Sequence, residues 1–380
     1  MNEQFVPGLE NVPAVKTKVS ALDVVKEKII IRGYDLIELA QAVPYLDVAY
    51  LLIYEHLPTA SQAKDFASLI QQQMHIPDAM YDIFQALPKG MDAMDLLRTG
   101  LSILAGYEDP QLLNDNSKAA NIQKGVKILA KAPVIMVNAY RANQGLTFVK
   151  PDSSLSFSEN FLYMIQGTKP DAETTKMFDL ILTCYIDHEL PNSTFTARVI
   201  ASTLSDMYAA IVGAVASLKG PLHGGANEAC VHMMLEVLQQ GGSAKAEEII
   251  MAKLARKDKI MGFGHRVYMK KYDPRALLLK DYVPKLVHRH KDGEELYKIF
   301  QIIEKVMARE KGIYPNADYP IGLMFYLLGI PIDLYTPIFF CSRIAGLVAH
   351  VTEQHADNRL IRPRALYEGA MDLHVSAQPS

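Results

Sequence analysis

Tryptophan is absent from these 380 residues, and cysteine is nearly so: only Cys184, Cys230 and Cys341 occur, widely separated. So sparse a set excludes a disulfide framework and a paired CxxC metal site, and it fits a reducing cytosol. Neither sign of charge dominates, because 39 Lys and Arg stand against 42 Asp and Glu, a formal net charge of −3. That balance argues against a polyanion binder, and no basic tail of the kind that grips nucleic acid is present. Long unbroken apolar runs are missing too. Met207 to Leu218, the most apolar window, is closed off by Asp206 and Lys219 and is too short to span a bilayer. Met1 to Pro13 carries two acids and no basic residue, so neither a secretory signal nor an arginine-rich transit peptide is expected. The expectation is a cytoplasmic protein with no membrane and no nucleic acid as partner.

What the chain does hold is apolar content, 49% of its residues, spread over a length that one compact core seldom serves. Two domains sharing a cleft are therefore expected. Helical periodicity dominates. Ser156 and Glu159 form a capping box ahead of Phe157, Phe161, Met164 and Ile165, and Gly167 and Pro170 stop that helix. Ala246, Ile249, Ile250 and Leu254 repeat the pattern after Gly241-Gly242. Ala197 to Leu218, rich in Ala, Ser and Gly, reads as one helix able to approach its neighbours closely. The single strand-like piece is Lys28 to Arg32, ahead of Gly33-Tyr34-Asp35. The fold class is mainly α.

The chemistry gathers in segments marked by glycine or proline: Asp187-His188-Glu189, Pro221-Leu222-His223-Gly224-Gly225, Gly262-Phe263-Gly264-His265-Arg266 and Tyr314-Pro315-Asn316-Ala317-Asp318. Neutral imidazoles beside a carboxylate move protons on and off a carbon next to a carbonyl, and arginine forks hold a carboxylate-rich substrate. That is the equipment of a carbon–carbon bond-forming synthase. His223 precedes Gly224-Gly225 and Ala226-Asn227-Glu228, a turn that opens a helix. The helix dipole there opposes an imidazolium, leaving a neutral ring with one hydrogen bond to donate. Asp318 sits between prolines and apolar neighbours that partly desolvate it, which suits a carbon-acid base. Taken alone, its Asn-x-Asp segment reads better as a turn or helix cap. His265, in a glycine loop, is a further proton-transfer candidate. A metal held by His188, His223 and His265 lacks HExxH or paired-cysteine spacing, so none is expected. The blander alternative, a noncatalytic helical scaffold, has no use for Asp318 and the ordered arginines.

From Pro7-Gly8-Leu9 through Arg32-Gly33-Tyr34-Asp35 to Asn358-Arg359-Leu360-Ile361-Arg362-Pro363-Arg364, these motifs in this order resemble the citrate synthase family over almost the whole chain. The resemblance implies a mostly helical homodimer, with a large domain built from both chain ends, 1–224 and 323–380, and a small CoA-side domain at 225–322. It implies a catalytic set of His223, His265 and Asp318: Asp318 removes a proton from the acyl group of acyl-CoA, His223 steadies the enol, and His265 serves the carbonyl oxygen of the acceptor. Oxaloacetate is the implied acceptor. Its carboxylates would be held by Arg275, Arg343 and Arg362, the last from the partner subunit, with His188 and Arg98 as further contacts. Coenzyme A thioester enters as a substrate, with no tightly bound cofactor. Ile260, Met261, Gly262, Phe263 and Gly264 would line its site, with Lys259, Arg266, Lys270 and Lys271 nearby for its phosphates. Gly224, Gly225 and Gly322 are expected as flexible points for a domain closure that keeps water from the enol. The stretch Asp318-Tyr319-Pro320-Ile321-Gly322 is similar to the Asp-aromatic-Pro form of 2-methylcitrate synthases, as are Ile260 to Pro274 and Leu334 to Phe340. Propionyl-CoA is therefore the expected acyl donor, with acetyl-CoA also used; a citrate synthase preferring acetyl-CoA is the alternative.

Overall fold

The computed structural model describes residues 5–264 and 271–375, so His265, Arg266 and Lys270 lie outside the described residues. Helix makes up 62% of the structure and strand 3%, which is the mainly α class expected from the periodicity.

The strands form one small antiparallel sheet, β1 (Ser20–Asp23), β2 (Lys28–Ile31) and β3 (Tyr34–Asp35), in that order. Between β2 and β3 the chain reverses at Arg32 (φ 48°) and Gly33 (φ 93°), both positive as a tight primed hairpin turn requires. Arg32 thus belongs to the turn and not to the strand. The sequence reading found β2 alone. Ser-Ala-Leu-Asp in β1 has no β-branched residue, and its strand character comes from pairing with Ile29 and Ile31, both fully buried.

The core is organised around the Tyr335–Ala356 helix. Ile338, Phe340, Ile344, Leu347 and Val351 cover its sides and are fully buried. A helix that is apolar all round belongs inside a protein. Helices Tyr45–Tyr54, Lys118–Asn143, Ala172–Tyr185, Asn192–Ala201 and Met207–Leu218 surround it. Among the described residues, the Ile332–Ala356 stretch is the one helix long and apolar enough to cross a membrane, and 89% of its most apolar window is buried in the protein. Arg343 and His350 within it hide it from a scan for unbroken apolar runs.

Local chemistry accounts for the helix boundaries. Phe157–Gln166 starts at the expected capping box, with the Ser156 amide donating to Glu159 Oε2 at 2.7 Å and the Glu159 amide to Ser156 Oγ at 3.3 Å, and it ends at Gly167 with φ 77°. Ser243–Ala255 is the helix expected after the glycine pair. The single helix expected over Ala197–Leu218 is instead two, Asn192–Ala201 and Met207–Leu218. Asp206 accepts from the Ala209 amide and starts the second, while Leu204 turns the chain at φ 64°. The small residues do allow close approach, but between these two halves: a Cβ on Gly213 would lie 2.1 Å from Ile200 Cδ1.

A second group of helices, Ala226–Gln239, Ser243–Ala255, Gly293–Lys311 and Asp318–Leu327, packs mutually beside the first. Gly322 and Gly224, expected as hinges, are packing glycines. A Cβ would come within 2.6 Å of the Asn227 carbonyl oxygen at Gly322 and within 2.4 Å of the Leu218 carbonyl oxygen at Gly224, whereas Gly225 faces open space. The expected boundary after residue 322 falls inside the continuous Asp318–Leu327 helix.

Gly125 shows how tightly the core helix is gripped, since a Cβ there would lie 2.2 Å from Val348 Cγ1. Gly125→Ala overpacks this crossing and is expected to cost about 1–3 kcal/mol. The check is a urea unfolding midpoint at fixed protein concentration; an unchanged midpoint would mean that the two helices separate freely.

Candidate active site

The Ala172–Tyr185 helix is capped at its start by Asp171, and its far end delivers Tyr185, Asp187 and His188 into the interior. Tyr185 Oη donates to Asp318 Oδ1 at 2.6 Å. Asp318 opens the Asp318–Leu327 helix, and its amide donates to Asn316 Oδ1 at 3.1 Å, so the Asn-x-Asp turn is real and the carboxylate is left to Tyr185. Burial pushes the Asp318 carboxyl above its ordinary value; the Tyr185 hydrogen bond and the charges of Arg275 and Arg343 pull against that rise. The result is a stronger base than a solvated aspartate.

His223 stands on the turn before Gly225, which caps the Ala226–Gln239 helix. Its Nε2 accepts from the Ser193 amide at 3.1 Å and lies 2.9 Å from Ser193 Oγ. A backbone amide only donates, so Nε2 is the bare nitrogen and the ring proton resides on Nδ1. Burial, and then the Arg343 charge, lower the His223 pKa to about 4. The ring is neutral, but desolvation and a nearby cation are the causes, where the sequence reading invoked a helix dipole.

Arg343 projects from the core helix and is 3% exposed. Its guanidinium lies 4.2 Å over the Phe339 ring, and Nε donates to the Tyr185 carbonyl at 3.4 Å. Burial lowers its pKa to about 10, opposed by Asp187 and Asp318, so it keeps its charge at neutral pH; among the described residues no carboxylate forms an ion pair with it. Arg275 is braced differently. Its Nε and Nη2 fork onto Asp273 at 3.0 and 2.7 Å, and Nη1 reaches the Cys184 carbonyl at 3.4 Å. Asp273 also accepts the Ala317 amide at 3.3 Å, which fixes the turn beside Asp318.

His188 is buried, and Asp187 next to it is held by Ser20 Oγ from β1 and by His350 Nε2 at 3.4 Å. The Ile260–Gly264 loop is laced to the 314–316 segment. The Gly264 amide donates to the Tyr314 carbonyl at 3.0 Å, the Asn316 amide to the Gly262 carbonyl at 2.9 Å, and Asn316 Nδ2 to the Gly264 carbonyl at 3.0 Å. Much of its backbone is therefore engaged with the strand of chain leading to Asp318. Gly262, at φ 83°, has Cys230 Sγ 2.3 Å from where a Cβ would stand, so only glycine fits.

His223, Asp318, Arg275 and Arg343 thus come together, Arg343 being close enough to shift both His223 and Asp318, while His188 is buried at the end of the segment that delivers Tyr185. Arg98 stands elsewhere in bonding terms: it pairs with Asp95 at 3.0 Å on its own helix, and Asp95 also binds Lys219. Arg362 is exposed on an extended tail clipped by the Ile361 amide to Ser202 Oγ at 3.1 Å, and it is not joined to the site of its own chain. His265 follows directly on Gly264 but is outside the described residues. The sequence reading passed over Tyr185, Ser193, Asn227 and Asp273. Tyr185 and Asp273 flank motifs already singled out, yet no spacing marks them, because the contacts that join them to Asp318 and Ala317 cross long stretches of chain. The cysteines are free and buried. Among the described residues no group of three His, Cys, Asp or Glu forms a metal-binding set.

In the folded chain His223 takes up a proton only near pH 4, against 6.5 for an ordinary histidine. Between those values the unfolded chain binds more protons, so the contribution of this group to stability is whole above pH 6.5 and shrinks as the pH falls toward 4. Imidazole nitrogen NMR, assigned with His223→Gln, is expected to show the neutral Nδ1–H tautomer still present at pH 6. An imidazolium signal at that pH would contradict this placement.

The family model described as "Citrate synthase, C-terminal domain" matches residues 8–364. The chain is 48% identical over 373 residues to the citrate synthase of Heyndrickxia coagulans, covering 98% of both chains. It is 46% identical over 367 residues to the citrate/2-methylcitrate synthase of Bacillus subtilis strain 168, covering 97% of both. In shape it matches the citrate synthase of the archaeon Thermoplasma acidophilum, solved as a ternary complex with carboxymethyl coenzyme A and oxaloacetate, with a TM-score of 0.91 at 33% identity over 98% of this chain and 99% of that one. With sequence and shape agreeing from end to end, the chain belongs to the citrate synthase family.

Proposed function

We propose that this enzyme condenses an acyl-CoA with oxaloacetate and water, releasing coenzyme A and giving 2-methylcitrate from propionyl-CoA and citrate from acetyl-CoA. The observation that carries this reading is a buried Arg343, in no ion pair among the described residues, beside a basic Asp318 and a neutral His223. A desolvated guanidinium is costly until an anion arrives, and the dicarboxylate oxaloacetate supplies one in a geometry the planar fork favours. Asp318 then takes the α-proton of the thioester, and His223 Nδ1–H donates to the thioester oxygen as it gains enol character. The α-carbon attacks the ketone carbon of oxaloacetate, and His265 passes a proton to the oxygen that becomes the new hydroxyl. Water cleaves the resulting thioester, leaving a carboxylate and free coenzyme A thiol. No tightly bound cofactor is needed, since coenzyme A arrives and leaves as part of the substrate.

The same reading assigns 1–224 and 323–380 to a large domain and 225–322 to a small one, with closure between them excluding water from the enol. It makes the working unit a cytoplasmic homodimer in which Arg362 reaches the site of the partner subunit. Support comes from the tail itself, which leaves Leu366, Tyr367, Met371 and Leu373 exposed, apolar surface that a second copy would cover. The loop Ile260 to Gly264 would lie along coenzyme A, with His188 and Arg275 completing the oxaloacetate site and Arg98 its outermost contact. Propionyl-CoA is the assigned donor on the Asp318-Tyr319-Pro320 form; the 48% identical citrate synthase favours the second reading, a preference for acetyl-CoA. One methylene is worth only about 1–3 kcal/mol in a pocket, so both donors are used.

Thiol-release kinetics with propionyl-CoA and acetyl-CoA at saturating oxaloacetate decide between the donors, and kcat/KM is expected to be larger for propionyl-CoA. Asp318→Asn is expected to lower kcat by roughly 10²–10⁴-fold while oxaloacetate still binds; undiminished turnover would end the reading of Asp318 as base. Sharing of sites between subunits has its own check. Inactive Asp318→Asn and Arg362→Ala chains, unfolded and refolded as an equal mixture, should recover about a quarter of wild-type activity, because about half the dimers are hybrid and each hybrid keeps one intact site. No recovery would place Arg362 outside the site of the partner.

A further inference from the structure

We propose that Tyr185 and Asn227 are positioning residues for the proton-abstracting carboxylate: the Asn227 amide orients the Tyr185 hydroxyl, and that hydroxyl holds Asp318 Oδ1 so that Oδ2 faces the carbon acid. This rests on the reading of Asp318 as the base.

The direction of each bond follows from the groups involved. Asn227 is fully buried, and its Oδ1 accepts from the Glu228 amide at 2.8 Å. With the amide oxygen so engaged, the nitrogen is the end that faces Tyr185, and Asn227 Nδ2 donates to Tyr185 Oη at 3.4 Å. A phenol has one proton. Since its oxygen is receiving a hydrogen bond from Asn227, that proton is directed to Asp318 Oδ1, 2.6 Å away. Among the described residues, Tyr185 provides the one side-chain hydrogen bond to the Asp318 carboxylate.

The ring is held as firmly as the hydroxyl. Tyr185 is 1% exposed, and its ring centroid lies 4.2 Å from that of Phe339, the same ring over which the Arg343 guanidinium rests. The Arg343 Nε bond to the Tyr185 carbonyl ties the backbone of this residue to the oxaloacetate side. Asn227 in turn stands in the first turn of the helix that His223 precedes. One short segment therefore sets both the enol-stabilising imidazole and, through Tyr185, the orientation of the base.

The chemical consequence is a restraint on proton affinity. A hydroxyl donating to Oδ1 stabilises the ionised carboxylate more than the acid, because once Oδ2 carries a proton Oδ1 is a weaker acceptor. Burial acts in the opposite direction. The hydroxyl thus keeps Asp318 ionised at working pH while fixing which oxygen is available.

Tyr185→Phe keeps the ring and removes only the hydroxyl. The test is kcat/KM for the acyl-CoA from pH 5 to 9 for wild type, Tyr185→Phe, Asn227→Ala and Asp318→Asn, with circular dichroism melts to confirm folding. The acid limb is expected to move upward by roughly one pH unit in Tyr185→Phe, since a hydrogen bond to a charged group is worth about that much, and to move less in Asn227→Ala. A Tyr185→Phe profile that superimposes on wild type after scaling, including a uniform loss at every pH such as packing damage gives, overturns the inference. Should Asp318→Asn be inactive and Tyr185→Phe unshifted, only the positioning role falls; should Asp318→Asn turn over normally, the base itself has been misassigned.

Discussion

Arg343 carries its charge in the middle of the helix around which the larger bundle packs. A guanidinium taken out of water costs on the order of several kcal/mol unless geometry and partners offset it. Here the offsets are partial: the face of Phe339, a long bond to the Tyr185 carbonyl and the more distant carboxylates of Asp187 and Asp318. Such a residue persists only where the helix that bears it is fixed by everything else, and this one is. Gly125 against Val348 and Gly346 against Asp187, where a Cβ would stand 2.2 and 2.4 Å from the neighbouring side chain, let those side chains seat directly on helix backbone. The apolar core is what makes this costly electrostatic arrangement affordable.

The Ala172–Tyr185 helix joins the two bundles in a way that explains why the site sits where it does. At its start, Arg289 binds Asp171 at 2.8 Å and Glu173 at 2.7 Å. At its end, Tyr185 holds Asp318, and Arg275 reaches the Cys184 carbonyl. Both clasps come from the segment that carries the second bundle. The helix is therefore a strut between the bundle that carries Arg343 and the one that supplies Asp318, clasped to the second at both ends. His188 receives comparable support from the other side, because Asp187 is tied to Ser20 in β1 and to His350 in the core helix.

Much of this was legible in the sequence, and the gaps have physical reasons. Ser156 with Glu159 announced a helix because a capping box is local chemistry complete within a few residues. The division of Ala197–Leu218 was missed although Asp206 stood in plain view, since apolar periodicity continues across a cap and only the fold decides which turn is broken. β1 was invisible because its strand character is borrowed from β2. His223 and Asp318 could be named from their motifs, but Tyr185 and Asn227 could not: the contact between Tyr185 and Asp318 joins residues 133 apart in sequence and exists only when two helices from different bundles meet. Gly224 and Gly322 show a related limit, as a glycine that frees the backbone and a glycine that admits a neighbouring carbonyl look identical in sequence.

Burial acts on the central groups of the site with one cause and unequal consequences. It raises Asp318, lowers His223 and lowers Arg343. For the carboxylate this means a stronger base, held in its ionised form by Tyr185 and the flanking cations. For the imidazole it means a neutral ring whose Nδ1 keeps its proton as a hydrogen-bond donor at neutral pH. For the guanidinium it means little, because a pKa of about 10 leaves the charge intact at neutral pH. Water entering the cleft would weaken the first two effects together and spare the third. Protonation of Asp318 and His223 is for that reason more sensitive to water than the charge of Arg343, because burial sets the pH range in which the first two change state and leaves the guanidinium charged.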